Sequence, residues 1–298
     1  MNVRPPTLDD APAAAELVRA YEERLFGRPS KAGENDVASS WERVDLERDA
    51  WLYERDGELV AFGGCGLHGP IGFFTGVVRP SHQDRGLGAE IAARCERRLV
   101  EKDAVRFHTF VYAADEAAAR LFGERGYREV RRFWEMAIEL EEPPDAPELP
   151  APLVLEAYRE EDARAFHAAM IESFEDHWEW HGPPFDEWLE VRRGQHADDQ
   201  GHLWFLVRDG DEVAAVVRNE ADRNGGGLVA LLGVRRAWRG RGLGKALLYR
   251  TFAEFWRRGT PRVTLGVDAE SPTGATKLYE SVGMHVELES IVFEKDTR

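Results

Sequence analysis

The chain has 298 residues, 43% of them hydrophobic and 10% aromatic, enough for two domains of about 150 residues that each bury a core. A net charge of −16 with a pI near 5.1 repels a phosphate backbone and argues against nucleic-acid binding. No run approaches 18 apolar residues and residues 1–10 lack the apolar centre of a signal peptide, so a cytoplasmic protein with no membrane attachment is expected.

In chain order, Thr7-Leu8-Asp9-Asp10-Ala11-Pro12 has polar caps, acids in the first turn and a proline just inside, the signs of a helix start. Residues 27–35 read as loop. Residues 51–55, Asp56-Gly57 and 58–62 spell a hairpin with a two-residue turn. A third strand over 73–78 runs into Arg79-Pro80-Ser81-His82-Gln83-Asp84-Arg85-Gly86-Leu87-Gly88-Ala89, a strand, a glycine-rich turn and a helix start. A helix over 89–102, a strand over 106–112, a helix over 115–125 closed by Gly126 and a strand over 133–140 follow. Residues 141–152 are rich in proline and acid, without periodicity, and read as a semi-rigid linker.

The order then repeats. Tyr158-Arg159-Glu160-Glu161-Asp162 opens a helix, 203–217 form a second hairpin, and an apolar strand over 227–234 leads into Arg235-Arg236-Ala237-Trp238-Arg239-Gly240-Arg241-Gly242-Leu243-Gly244-Lys245. A helix over 245–258, a strand over 262–267, a helix opened by Ser271-Pro272 and ended at Gly283, and a strand over 286–293 complete the copy. Gly86 and Gly242 stand 156 residues apart, as do Gly88 and Gly244, and Gly126 and Gly283 stand 157 apart. That register marks an internal duplication. Domains are expected at 1–140 and 153–298, joined by 141–152. The fold class is α/β (an α+β mixed sheet): two tandem domains, each a mixed, mostly antiparallel sheet flanked by helices.

The glycine-rich turns carry the chemistry. Such a turn aims several backbone N–H groups at one point at a helix N-terminus, where an anion is favoured. Arg235, Arg236, Arg239, Arg241 and Lys245 add positive charge there in an acidic chain. The spacing fits neither the P-loop nor the dinucleotide fingerprint. Phosphate or pyrophosphate is the expected ligand.

Arg239-x-x-Gly242-x-Gly244 and Gln83-x-x-Gly86-x-Gly88, each followed by Leu278-Tyr279-x-x-x-Gly283 or Leu121-Phe122-x-x-x-Gly126, resemble the GNAT N-acetyltransferases over essentially the whole of each half. The tandem arrangement is similar to that of the mycothiol synthases. The resemblance implies transfer of an acetyl group from acetyl-CoA to a primary amine by direct attack. It assigns Leu232, Gly233 and Val234 to backbone contacts with pantetheine, and Arg239, Gly240, Arg241, Gly242, Leu243, Gly244 and Lys245 to the pyrophosphate. Ser271 stands where the family places a pantetheine contact, although Ser before Pro also suits a helix N-cap. In the first half Val78, Gln83, Arg85, Gly86, Gly88 and Ala89 are the equivalent binding residues.

The resemblance also makes Tyr279 the donor to the departing thiolate. A phenol near pKa ~10 is a weaker acid than a thiol near ~8.5, so full proton transfer is uphill by roughly 2 kcal/mol and hydrogen bonding is the main role. Phe122 has no hydroxyl, which leaves the first domain able to bind acetyl-CoA or a related nucleotide yet catalytically weak or silent. The mycothiol synthase pattern has a glutamate on the strand over 227–234; here Leu228-Val229-Ala230-Leu231-Leu232 is apolar. Glu220, Asp222, Asp268 and Glu270 remain as bases for the amine proton, Glu270 first because it follows a strand beside the cofactor.

Residues 172–188 pack carboxylates, aromatics and two histidines together. Glu175 and Trp178 there suit a cationic acceptor. His177 and His181 have no third ligand in register, so no metal is expected. Cys65 and Cys95 read as buried small residues without redox spacing. The expected partner is a small-molecule amine, with the protein a monomer or homodimer; a non-catalytic acyl-CoA sensor and a protein N-terminal or lysine acetyltransferase are the alternatives.

Overall fold

The computed structural model describes residues 1–42, 44–145, 147–195 and 203–297. The chain forms two compact units that interleave in sequence. The first comprises Met1–Phe133, Arg223–Gly225 and the chain from Leu288 onward; the second comprises Trp134–Asp222 and Gly226–Glu287. The linear boundaries expected at 140 and 153 are therefore not those of the compact units.

In the first unit, strands β1 (Asn2–Arg4), β2 (Ala50–Arg55), β3 (Glu58–His68), β4 (Ile71–Val78) and β5 (Arg106–Tyr112) lie in that order, and β12 (His285–Asp296, in this unit from Leu288) comes next to β5. The β4–β5 pair is parallel; β1–β2, β2–β3, β3–β4 and β5–β12 are antiparallel. Helices α1 (Ala11–Phe26), α2 (Glu34–Trp41), α3 (Leu46–Asp49), α4 (Leu87–Glu101) and α5 (Glu116–Glu124) flank it. Here α1 follows a 3-10 turn over Leu8–Asp10, at the helix start read from Thr7 to Pro12. Helix α2 falls partly in the stretch read as loop, where Gly33 N–H donates to Asp36 at the helix start.

In the second unit the order is β6 (Arg128–Glu139, in this unit from Trp134), β11 (Arg262–Asp268), β10 (Gly226–Val234), β9 (Glu212–Arg223, in this unit to Asp222), β8 (Trp204–Asp209) and β7 (Leu153–Ala157). The β10–β11 pair is parallel, and β7–β8 and β8–β9 are antiparallel. Helices α6 (Ala163–Phe174), α7 (Phe185–Gln195), α8 (Leu243–Arg257) and α9 (Ala275–Ser281) complete it. Each unit is thus a mixed, mostly antiparallel sheet with helices around it.

The sixth strand of each unit comes from the other half of the sequence. Residues 290–296 of β12 pair with residues 106–112 of β5, and Ile291 and Phe293 join the core of Phe74, Phe107, Phe122 and Tyr127. Met136 of β6 is buried in the core of the second unit, and Ile138 of the same strand packs against it. His108, fully buried on β5, meets Glu294 at 2.7 Å, and Arg128 caps the same carboxylate at 2.5 Å. Burial raises the Glu294 pKa, but His108 and Arg128 outweigh it and hold the carboxyl below its ordinary value. Cys65 and Cys95 are both buried in this unit, as their surroundings suggested.

Burying Ile291 and Phe293 contributes about 1.5–3 kcal/mol each, a large share of a total of about 5–15 kcal/mol. A fragment of residues 1–140 is therefore expected to give no cooperative thermal transition by circular dichroism where the whole chain gives one. A sharp transition in that fragment would show the borrowed strand to be dispensable.

Candidate active site

Strands β10 and β11 pair through Gly227↔Val263, Leu228↔Thr264 and Val229↔Leu265, and the ladder stops there although both strands continue, to Val234 and Asp268. The alternation of β10 also breaks. Trp204 stacks on Phe166 of α6 with centroids 5.2 Å apart, while its neighbour Phe205 lies under Arg250 of α8 at 4.7 Å. Helices α6 and α8 therefore cover opposite faces of the sheet. A Cβ on Gly227 would lie 2.5 Å from Phe255 of α8, yet a Cβ on Gly233 would lie 2.8 Å from Ser173 of α6. Residues six apart share a face in a regular strand; the inversion places one extra residue, a bulge, between them. In the first unit Gly72 and Gly76 both face α4 and the β3–β4 register runs unbroken from Ala61↔Val78 to His68↔Ile71.

The wedge so opened leaves the backbone of 230–234 and 266–268 without ladder partners across it. Leu232, Gly233 and Val234 lie along one side. At Gly266, on the other, a Cβ would meet nothing within 4 Å.

At the end of β10 a 3-10 turn over Arg236–Trp238 leads to α8, whose N-cap is Gly242 in the left-handed region, φ 81°, with no side-chain cap. The first N–H groups of α8 have no intrahelical partner, and a Cβ on Gly240 or Gly242 would meet open space. This is a cradle for an anion. Gly244 is required for another reason: a Cβ there would press to 2.8 Å on Leu278 of α9. Leu243 is buried beneath the turn. Gly86, φ 84°, caps α4 in the same way, with Ala89 in its first turn, and Gly88 approaches Leu121.

Of the five cations read as phosphate ligands, three are engaged within the protein. Arg235 binds Glu172 at 2.6 Å and Glu212 at 3.1 Å. Arg236 binds Asp176 at 2.5 Å. Arg239 donates to the Val234 carbonyl at 3.1 Å and the Ser173 carbonyl at 3.2 Å, and meets Asp176 at 3.3 Å. Arg236 chiefly, with Arg239, holds the Asp176 carboxyl below the usual carboxylate range. Gln83 reaches the Val78 carbonyl at 3.4 Å as Arg239 reaches that of Val234. In both copies the first residue of the motif braces the turn with its side chain on the preceding strand and its N–H on the 3-10 turn, at the Arg236 carbonyl for Arg239 and the Pro80 carbonyl for Gln83. Among the described residues Arg241 has no carboxylate partner and neither does Lys245, whose ammonium lies 5.6 Å from the Tyr249 ring centre. Arg85, in the first unit, likewise has none among the described residues.

Tyr279 is buried on α9, and burial pushes its hydroxyl up to about pKa 12. Nothing among the described residues hydrogen-bonds that hydroxyl. The counterpart Phe122 packs against Phe74, Tyr127 and Phe293 at 5.3–6.1 Å as part of the first unit's core. Helix α9 begins at Ala275, with Gly274 as N-cap at φ 73°, and not at Ser271 as the Ser-Pro pair suggested. Ser271 instead closes a turn: its N–H reaches the Asp268 carbonyl, and its Oγ lies 2.9 Å from Thr273 Oγ1. The Glu270 N–H donates to Asp268 Oδ1 at 2.9 Å, and the Glu270 side chain is exposed. Glu220 and Asp222, read as loop residues, lie in β9, where Glu220 meets Arg218 at 3.2 Å.

On the opposite face α6 ends at Phe174, against Gly233. The His177 ring tilts on Phe174 with centroids 4.3 Å apart, and Trp180 lies 5.0 Å from Phe174. Burial pushes the His177 imidazole below its ordinary pKa, with Asp268 opposing. His181 lies apart, its Nδ1 on the Glu179 carbonyl at 2.8 Å. Glu175 is exposed and 3.7 Å from Arg236; Trp178 is half-buried. Neither histidine sits on a helix, so their four-residue spacing has no consequence. Among the described residues no group of three or more His, Cys, Asp or Glu is placed to hold a metal ion, and no helix is long and apolar enough to cross a membrane. The sequence sets His177 aside as a metal ligand, and no spacing within residues 172–188 shows that its ring lies on Phe174 beside Gly233.

The profile of the family described as "Acetyltransferase (GNAT) family" matches residues 14–127 and 155–284. A mycothiol acetyltransferase of Thermobispora bispora is 32% identical over 213 residues, 70% of this chain and 70% of that one. A crystal structure of a GCN5-related N-acetyltransferase from Sphaerobacter thermophilus is 33% identical, with a TM-score of 0.85, over 100% of this chain and 96% of its own. A tandem GNAT protein from the clavulanic acid biosynthesis pathway, 15% identical with a TM-score of 0.75 over 100% of this chain and 98% of its own, shares the fold. With a wedge between parallel strands, a glycine-capped helix start and this match in both halves, the chain belongs to the GNAT family of acetyltransferases.

Proposed function

We propose that the second unit transfers the acetyl group of acetyl-CoA to a primary amine of a small molecule, in the cytoplasm, by direct attack. One observation carries the reading: the wedge runs from an open anion cradle on the α8 face to the aromatic end of α6 on the other. Arg241, Lys245 and the N–H groups from Gly240 to Lys245 would hold the pyrophosphate. The backbone of Leu232, Gly233 and Val234 that faces the gap would pair with pantetheine, with Ser271 at the far edge of the wedge. The relatives named mycothiol acetyltransferases favour a small-molecule acceptor, and Glu175 and Trp178 border the end of α6 from which it would approach.

A Tyr279 pKa of about 12 lies about 3.5 units above a thiol near ~8.5, so proton transfer to the thiolate is uphill by about 5 kcal/mol. The hydroxyl therefore acts by donating a hydrogen bond to the sulfur as the C–S bond breaks, with no proton given up. In the first unit Phe122 offers none, and its strand β4 has no bulge; we assign that unit a binding or structural part, with Val78, Gln83, Arg85, Gly86, Gly88 and Ala89 around its helix start.

A thiol-release assay of the whole chain with acetyl-CoA and a panel of small primary amines tests the reading; acetyl-CoA binding without turnover would favour a sensor. Tyr279→Phe is expected to lower kcat about 10- to 100-fold with little change in KM for acetyl-CoA, the loss of one hydrogen bond to a charged group. Arg241→Gln and Lys245→Gln are each expected to weaken acetyl-CoA binding about tenfold in calorimetry at low salt, less so at high salt.

A further inference from the structure

We propose that His177 is the group that takes the proton from the attacking amine. The inference rests on the reading above, that acetyl-CoA threads the wedge and an amine meets it from the α6 face.

The argument is one of position. Gly233, at the open end of β10, packs on Ser173 and Phe174 at the end of α6. The chain turns immediately, with the His177 N–H on the Phe174 carbonyl at 2.9 Å, and lays the imidazole on the Phe174 ring. Three charges reach that imidazole: Asp268 at the end of β11, Arg239 beyond the end of β10, and Asp176 beside it. The ring lies on Phe174, which meets Gly233 at the open end of β10, and so on the face opposite the anion cradle. Among the described residues nothing hydrogen-bonds its ring nitrogens. A half-buried imidazole with its nitrogens open is suited to a substrate proton.

The chemistry needs such a group. An alkylammonium near pKa ~10.4 must lose a proton before attack, at a cost of about 4–5 kcal/mol at pH 7. The apolar run Leu228–Leu232 of β10 supplies no carboxylate, and Glu270 is exposed at the turn beyond β11. His177, kept neutral by burial and steadied as imidazolium by Asp268, accepts the first amine proton and passes it to water. The nitrogen lone pair forms the C–N bond, the C–S pair leaves on sulfur, and the second nitrogen proton ends on the thiolate.

Two measurements test this. With histidine-labelled full-length protein, the imidazole resonances assigned to His177 through a His177→Gln spectrum are expected to move as acetyl-CoA saturates the protein. Saturation that leaves them unmoved overturns the inference alone; no binding of acetyl-CoA removes the reading beneath it as well. With an amine that turns over, His177→Gln is expected to cost 10²- to 10⁴-fold in kcat/KM at pH 7, with acetyl-CoA affinity and Tm unchanged. Wild-type kcat/KM reaches its plateau once the imidazole is neutral, below the ordinary histidine range, whereas the variant must wait for free amine. Its deficit should shrink about tenfold per pH unit up to pH 9. Undiminished turnover with a wild-type pH profile would overturn the proposal.

Discussion

The parting of β10 from β11 is the constraint on which the rest of the second unit depends. A parallel ladder satisfies backbone groups on both strands, and ending it after Val229 and Leu265 leaves polar main chain facing a gap within a packed domain. Such groups are costly unless something pairs with them. The bulge that inverts β10 between Gly227 and Gly233 makes the gap one-sided: apolar side chains stay in the core at the closed end, and Gly233 lets the end of α6 come within contact at the open end. The ion pairs of Arg235, Arg236 and Arg239 with α6 and the residues after it hold that end in place. They tie the turn before α8 to the end of α6, so charge read as ligand binding is largely architecture.

The two copies show which parts of this arrangement are needed for packing alone. Both keep a left-handed glycine before the helix, a side chain bracing the turn and a short parallel ladder. Only the second has the inverted strand and a hydroxyl on the following helix. Where Tyr279 keeps a hydroxyl with no hydrogen-bond partner among the described residues, Phe122 fills its place with ring contacts and nothing polar. The first copy keeps the glycine-capped helix start and the bracing side chain, and has an aromatic ring where the second has a hydroxyl.

Much of this was legible in the sequence. The glycine turns, their 156-residue register, the hairpins and the Tyr279–Phe122 contrast all arise from local rules of backbone conformation and alternation, which leave marks at fixed spacing. The strand exchange left none, because β6 and β12 obey the same local pattern whichever sheet they join. The start of α9 was misread because Ser271-Pro272 satisfies a capping rule that a turn also satisfies. The fate of the loop arginines depended on carboxylates about 60 residues away, and the approach of His177 to Asp268 on about 90 residues of intervening chain. Pairings of that range are set by tertiary packing.

The exchanged strands also set an order of events during synthesis. The sheet of the first unit is completed by residues 290–296, which are made after every strand of the second unit, whereas β6 of the second unit precedes all of its other strands. The half translated first is therefore the half finished last. Until β12 is made, β5 has an unpaired edge and the core around Phe122 lacks Ile291 and Phe293, the kind of exposed strand that pairs with the wrong chain. Contacts spanning most of the sequence also slow folding. Each of the two duplicated domains therefore draws one strand from the half of the sequence that supplies the rest of the other.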